Sequence, residues 1–122
     1  MNGNTKGLEK LSRGITVQEA DLIRWLLVHG ELGSDQLIPQ ISDLKVVSKC
    51  TCGCPTVYFS LRDERSSRKG ERIVSDYFGS VEGIDVGVML FELDGQLSSL
   101  EVYSQAGSDN PFGLPAIDSL HA

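Results

Sequence analysis

The pattern of apolar residues changes its period near Leu44, and this change constrains the fold of the 122-residue chain more than any other feature. Before Leu44 the apolar residues recur at helical spacing. After it they tend to alternate with polar residues, which is typical of strands. The pair Asp94-Gly95 favours a tight hairpin turn, which requires positive φ. We therefore predict five strands, at residues 45–50, 56–61, 72–80, 86–93 and 96–104.

A helix is predicted over residues 17–29, ahead of the strands. Thr16 and Glu19 fit a capping box, in which each side chain accepts a hydrogen bond from the backbone amide of the other residue. Gly30 is expected to end the helix as a left-handed cap. Trp25 lies off the apolar stripe, where it either anchors a partner or is covered by the N-terminal arm or a sheet edge. The stripe itself comprises Ala20, Leu22, Ile23, Leu26 and Leu27.

A second, shorter helix is predicted over residues 35–41, with Ser34 as its cap and Pro39 as an interruption. The predicted fold class is therefore α+β. Two N-terminal helices pack on one face of a roughly five-stranded antiparallel meander sheet. Residues 1–14 are polar and are expected to form a flexible arm, and residues 15–122 to form a single domain.

The predicted strand over residues 86–93 begins with an apolar run, Val86 to Phe91, whose side chains would cover both faces of the sheet. Such a strand is typical of the centre of a sheet that is covered on both sides. The second cover could come from the C-terminal tail, from a second copy of the chain in a homodimer, or from a different protein.

Charge is distributed unevenly along the chain. Arg72 is the last basic residue, and residues 73–122 carry eight acidic side chains. An acidic surface repels phosphate backbones and attracts basic partners, so direct nucleic-acid binding by this part is not expected. The N-terminus lacks a secretory signal, and no apolar run is long enough for a membrane helix. We therefore expect a cytoplasmic protein without membrane association.

All three cysteines lie within five positions, at Cys50, Cys52 and Cys54. Reduced thiols are expected, because cysteines two apart in an extended segment lack the backbone reversal that a disulfide requires. Thiolates suit Zn(II), Cu(I) or an iron–sulfur cluster, and Gly53 would allow the bend that makes them converge. The spacing differs from that of common zinc sites, which have a second cysteine pair.

Two other interpretations of the cysteine segment stay open. It could be a tight reversal in which Cys52 or Cys54 acts as a small buried apolar residue. It could also supply a reactive thiol, although strand alternation sends the neighbouring Lys49 away from Cys50. His29 could serve as a fourth metal ligand, although a polar residue is ordinary at its place near the end of the predicted helix, whereas His121 is expected in a frayed C-terminal tail. Phosphate-binding loops, nucleophile elbows and paired histidines of zinc proteases are missing from the sequence, so an enzyme is not expected.

Three segments resemble a family of small bacterial proteins for which no activity is established. The first is a Val-Val-x-x-Cys-x-Cys-Gly-Cys-Pro-(Ser/Thr)-Val segment, which matches residues 46–57. The others are a Leu-Phe-x-x-(Asp)-Gly-x-Leu-Ser-x-Leu-Glu hairpin at residues 90–101 and a terminal Leu-Pro-x-x-x-x-Leu at residues 114–120. The resemblance implies a shared fold and carries no activity with it.

The preferred functional hypothesis is a non-enzymatic acidic protein that binds a basic partner, such as an immunity protein that neutralises a bacterial toxin. Nuclease toxins carry positive surfaces, so an acidic inhibitor would associate with them faster. This hypothesis requires no cofactor. The alternative is a small metal-binding or thiol redox module centred on the three cysteines, with zinc as its metal. The predicted partner-binding residues are Glu92, Asp94, Glu101 and Asp109, with Trp25 or Tyr103 as an apolar anchor.

Overall fold

The computed structural model describes residues 8–60, 70–107 and 111–122. One six-stranded sheet, one α-helix and two 3-10 helices account for its regular structure. In chain order these are β1 (Leu8–Gly14), α1 (Val17–Val28), a first 3-10 helix (Ser34–Asp43), β2 (Lys45–Cys50), β3 (Val57–Tyr58), β4 (Arg72–Val81), β5 (Ile84–Leu93), β6 (Gln96–Ser104) and a second 3-10 helix (Ile117–Ser119).

The predicted architecture, two N-terminal helices on a five-stranded meander, is wrong. The sheet has six strands in the order β1-β2-β3-β6-β5-β4, all antiparallel. The extra strand, Leu8–Gly14, comes from the predicted flexible arm and precedes both helices. It pairs with β2 at the sheet edge, where backbone hydrogen bonds to one neighbour hold a strand that has few apolar residues. Residues 1–7 lie outside the described part.

The meander is broken because β3 pairs with β6 instead of with β4. β3 has two residues, fewer than predicted for residues 56–61, and it joins the pair β1-β2 to the group β6-β5-β4. The hairpin predicted at Asp94-Gly95 is confirmed, since both residues have positive φ and β5 pairs with β6 across them. Four strands, β2, β4, β5 and β6, start within two residues of their predicted positions.

The second predicted helix is a 3-10 helix, Ser34–Asp43, that contains Pro39. Proline removes a backbone donor and clashes with the preceding turn of an α-helix, which favours the shorter and tighter form. Ser34 does not cap this element with its side chain. Its hydroxyl instead donates to the Leu27 carbonyl at 2.7 Å, near the end of α1. The element thus follows α1 directly and packs beside it.

The start of α1 is fixed by the predicted capping box, which is confirmed. The Glu19 amide donates to the Thr16 hydroxyl at 3.0 Å, and the Thr16 amide donates to the Glu19 carboxylate at 2.9 Å. Arg13, at the end of β1, adds two hydrogen bonds to the same carboxylate at 2.9 Å each. One buried acidic side chain therefore joins the edge strand to the helix.

The end of α1 differs from the prediction. The helix ends at Val28 with His29 as its cap, and Gly30 does not adopt positive φ. Glycine is required at position 30 for space, because a Cβ there would lie 2.4 Å from the Val74 carbonyl oxygen of β4. This close approach allows the Glu31 amide to donate to the same carbonyl at 2.9 Å. The predicted left-handed cap at Gly30 is therefore wrong, and packing against β4 is what requires glycine at this position.

The core lies between α1 and one face of the central strands. The apolar stripe predicted for α1 is confirmed for its four larger members, which are fully buried. They share one cluster with side chains of β5 and β6, where Leu90 is paired with Leu100 and Val88 with Val102. Burying each such side chain stabilises the fold by about 1.5–3 kcal/mol. The four helix residues are Leu22, Ile23, Leu26 and Leu27.

The C-terminal segment covers part of β4. Leu120 and Pro115 approach Gly79, where a Cβ would lie 3.0 Å from Leu120. His121 pairs with Phe78 through two backbone hydrogen bonds of 2.8 Å, which satisfy the outer edge of the sheet. The tail therefore packs on the edge strand β4, on the same side of the sheet as Tyr77 and α1, and these contacts do not supply the second cover predicted for the strand at residues 86–93.

Glu19 gives a pH-dependent test of the junction between β1 and α1. Burial raises the pKa of Glu19, but hydrogen bonds from Arg13 and Thr16 outweigh it and hold the pKa below its ordinary value. A carboxylate with a lowered pKa stabilises the fold above its unfolded pKa and loses this contribution as the pH falls through the folded pKa. We expect Glu19→Gln to lower the free energy of unfolding by roughly 1–3 kcal/mol at neutral pH.

The measurement is urea unfolding of the unsubstituted protein and of Glu19→Gln between pH 7 and pH 2. The difference between their free energies of unfolding should narrow below about pH 4, where an unperturbed glutamate begins to protonate. Asp21→Asn is the matched control, because Asp21 is exposed on the same helix. A difference that stays constant over the whole pH range would contradict the assigned role of the carboxylate.

Candidate metal centre

The cysteine segment forms the connection between β2 and β3. Gly53 has φ +101°, a conformation that favours glycine, and it sits at the bend of the turn. The Cys50 amide donates to the Thr56 carbonyl at 3.4 Å and closes the turn. The Phe112 amide donates to the Gly53 carbonyl at 3.3 Å, so the C-terminal segment also holds the bend. The reversal expected from the sequence is present, with two separate parts of the chain fixing it.

Thr56 fastens the turn to the centre of the sheet. Its hydroxyl donates to the Val102 carbonyl at 3.1 Å and accepts from the Val102 amide at 2.9 Å. The Thr56 hydroxyl thus satisfies the backbone amide and carbonyl of Val102, as the backbone of a paired strand residue would. Thr56 is buried, so both groups of Val102 depend on this hydroxyl instead of on water.

The three sulfur atoms converge on one side of the turn. Cys52 Sγ lies 2.8 Å from Cys50 Sγ and 2.8 Å from Cys54 Sγ. All three atoms lie within 4.8 Å of one another, and the thiols are free. Cys52 is exposed and the other two are half-buried, so the interpretation of Cys52 as a buried apolar residue is wrong. Zinc–sulfur bonds of about 2.3 Å separate tetrahedral ligands by about 3.8 Å, so an ion would require movements of about 1 Å.

Backbone amides point at two of the sulfurs. The Cys52 amide donates to Cys50 Sγ and the Cys54 amide donates to Cys52 Sγ, both at 3.4 Å. Amide donors of this kind stabilise negative charge on sulfur. The turn therefore provides three soft ligands, and backbone amides favour negative charge on two of them.

The environment separates the acidities of neighbouring thiols. Burial, with a contribution from the adjacent Cys52 sulfur, raises the pKa of Cys50 to about 12. Burial also raises the pKa of Cys52, but hydrogen bonds with the Cys50 and Cys54 sulfurs and with the Cys54 amide outweigh it and lower the pKa overall. Of Cys50 and Cys52, the central Cys52 thiol is therefore the more acidic.

Neither His29, the candidate fourth ligand, nor His121 lies with the cysteines. His29 stacks on Trp25 at 4.0 Å between ring centroids, and its Nδ1 lies 2.8 Å from the Trp25 carbonyl oxygen. His121 contacts Phe78 at the outer edge of the sheet. Within the described residues, the grouped His, Cys, Asp or Glu ligands are the three cysteines.

A cavity of about 390 Å³ lies beside the sulfur atoms. Glu101 and Tyr103 of β6, which the sequence assigned to a partner-binding surface, line it together with all three cysteines. Two sites that the sequence kept apart are therefore neighbours in the fold. The lining residues that sequence reasoning did not single out are Thr56, Tyr58, Val102, Ser104, Gly107 and Phe112.

Tyr103 has a defined position at the cavity wall. Its ring lies directly over Gly87 of β5, where a Cβ would be 2.2 Å from the ring. The side chain is 42% exposed. Gly87 and Tyr103 face each other in the register of the two strands, so the missing side chain of one makes room for the ring of the other.

The remaining predicted partner-binding residues lie elsewhere. Glu92 is buried and accepts from Arg72 Nε and from the Gly95 amide, both at 2.8 Å, so it stabilises the hairpin end of β5. Asp94 is exposed in that hairpin turn. Trp25 is half-buried and packs edge-on against Tyr77 at 4.8 Å.

The acidic residues therefore occupy at least two parts of the sheet. Glu92 and Asp94 lie at the β5–β6 turn, whereas Glu101 lies at the cysteine cavity. Asp109 falls outside the described residues. Binding of a basic partner, such as a toxin domain, stays a prediction, and Glu92 is a poor probe of it because Arg72 already pairs with its charge.

Comparison of the chain with protein-family models, curated proteins and solved structures gives no match in any of the three. Within residues 8–60, 70–107 and 111–122, no helix combines the length and hydropathy that crossing a membrane requires.

Substitution of Thr56 tests how the turn is fastened. Thr56→Val keeps the shape of the side chain but leaves the amide and carbonyl of Val102 without their buried partner. We expect a loss of about 2 kcal/mol in the free energy of unfolding. Thr56→Ser retains the hydroxyl, so its free energy of unfolding should be closer to that of the unsubstituted protein. Equal urea midpoints for the two variants would show that the hydroxyl does not hold the turn.

Proposed function

We propose that this chain is a metal-binding protein in which Cys50, Cys52 and Cys54 coordinate one thiophilic ion, with zinc as the expected occupant. The observation that carries the proposal is the convergence of three sulfur atoms within 4.8 Å on one turn. Thiolate ligands favour Zn(II), Cu(I) and iron–sulfur clusters over hard cations such as Mg²⁺ and Ca²⁺. Three ligands also match the number that zinc takes from protein when one position remains for another ligand.

The surroundings of the sulfurs support the proposal. The two amide donors would remain in place when the thiols lose their protons, and they would offset part of the charge that three thiolates bring together. The turn is fixed by Thr56 and by the contact between Gly53 and Phe112. Apart from shifts of about 1 Å that bring the sulfurs to tetrahedral spacing, little ordering is therefore needed when an ion binds.

The fold does not depend on the ion for its core. The hydrophobic cluster comes from α1, the first 3-10 helix and the central strands, and none of the cysteines belongs to it. The site should thus bind and release its ion while the domain stays folded. This differs from small zinc domains that unfold without metal.

The first experiment measures metal content. We expect protein dialysed against a slight excess of zinc under reducing conditions to retain about one zinc ion per chain. Free zinc at about 100 times the dissociation constant should raise the free energy of unfolding by about 2.7 kcal/mol. Cobalt(II) in place of zinc should show an intense sulfur-to-metal charge-transfer band in the near ultraviolet.

The matched variants separate the sulfurs from the turn. Replacing all three cysteines by serine should abolish binding and leave the circular dichroism spectrum of the domain unchanged. Thr51→Ser, in the same turn, should bind as the unsubstituted protein does. If the protein retains copper(I) in preference to zinc, the site is thiophilic as proposed but zinc is not its occupant. Failure to retain any of these ions, with a disulfide forming instead, would overturn the proposal in favour of a redox module.

A further inference from the structure

The cavity beside the cysteines is large enough for a small organic ligand. Its volume of about 390 Å³ falls within the range of small-molecule sites, which starts at about 300 Å³. One side consists of the three cysteines, and other parts of its wall carry the aromatic rings of Tyr58, Tyr103 and Phe112. An ion held by the sulfurs would therefore lie at the wall of a space that can accept a molecule.

The number of protein ligands leaves room for one more. Structural zinc sites have four protein ligands, whereas sites with three keep a position for water or an added molecule. In the described part of the chain, no histidine and no acidic side chain has a ligand atom close enough to join the three cysteines as a fourth ligand. An added ligand would thus complete the coordination of the ion from the cavity side.

Charge restricts the kind of ligand. Three thiolates around a divalent ion leave a net charge of about −1, which disfavours a further anion. No lysine or arginine from the described ranges lines the cavity, and Glu101 contributes a carboxylate. A neutral nitrogen donor avoids this repulsion, and imidazole nitrogen is a common zinc ligand. A planar ring also suits a wall of aromatic side chains.

We propose that this cavity binds a small molecule with a neutral, planar nitrogen donor of the imidazole type, which coordinates the ion held by Cys50, Cys52 and Cys54. The inference rests on the proposed metal site. Tyr103 is the residue that positions the ring of the ligand, because Gly87 fixes the tyrosine ring at the cavity wall. Binding forms one metal–nitrogen bond and breaks the metal–oxygen bond of the water molecule that the ligand displaces, with no change in oxidation state.

The test uses the cobalt-loaded protein and imidazole as the probe. Added imidazole should change the visible d–d bands of cobalt in a saturable manner, while the charge-transfer band of the thiolates persists. Tyr103→Ala should need roughly five- to tenfold more imidazole for half-saturation, because an aromatic contact is lost. Phe78→Ala is the matched control, since Phe78 is 40% exposed but does not line the cavity.

The outcomes distinguish this inference from the proposed function. A protein that binds neither cobalt nor zinc would refute the metal site itself. A protein that binds cobalt but shows no response to imidazole would refute only the added ligand. An equal response to acetate would refute the preference for a neutral donor, and an unchanged half-saturation in Tyr103→Ala would refute the role of Tyr103.

Discussion

The two hydrogen bonds between the Thr56 hydroxyl and the backbone of Val102 are the interaction on which the candidate site depends. They fasten the end of the cysteine turn to β6, a strand whose inner face lies in the core. Since the same strand carries Glu101 and Tyr103, the sulfurs and the cavity wall share one rigid support. The cysteine turn at the surface is thereby held in a fixed position relative to the central strands of the sheet.

Local signals made part of this fold predictable. The capping box at Thr16 and Glu19, the apolar stripe of α1 and the hairpin at Asp94-Gly95 each depend on residues close in sequence. The strand β1 and the pairing of β3 with β6 depend on distant segments, and their residues carry no strong pattern of their own. The predicted architecture was therefore wrong, although most of the helices and strands were identified.

The candidate site shows the same division. The spacing of the cysteines and the presence of Gly53 allowed convergent sulfurs as one of three interpretations of the sequence. The cavity could not be predicted, because Tyr103 and Phe112 reach it from segments 51 and 60 residues beyond Cys52. The number of acidic residues after Arg72 likewise follows from the sequence, but their positions on the folded surface do not. Glu92, for example, is a buried carboxylate that pairs with the exposed Arg72, instead of part of an open acidic surface.

The contact between Tyr103 and Gly87 has a consequence for how this sequence can diverge. A side chain of any size at position 87 would displace the tyrosine ring from the sheet surface. Loss of the ring, in turn, would expose bare backbone on a central strand. Substitutions at the two positions should therefore occur together in descendants of this chain, and their covariation would record an ancestral constraint on the shape of the groove.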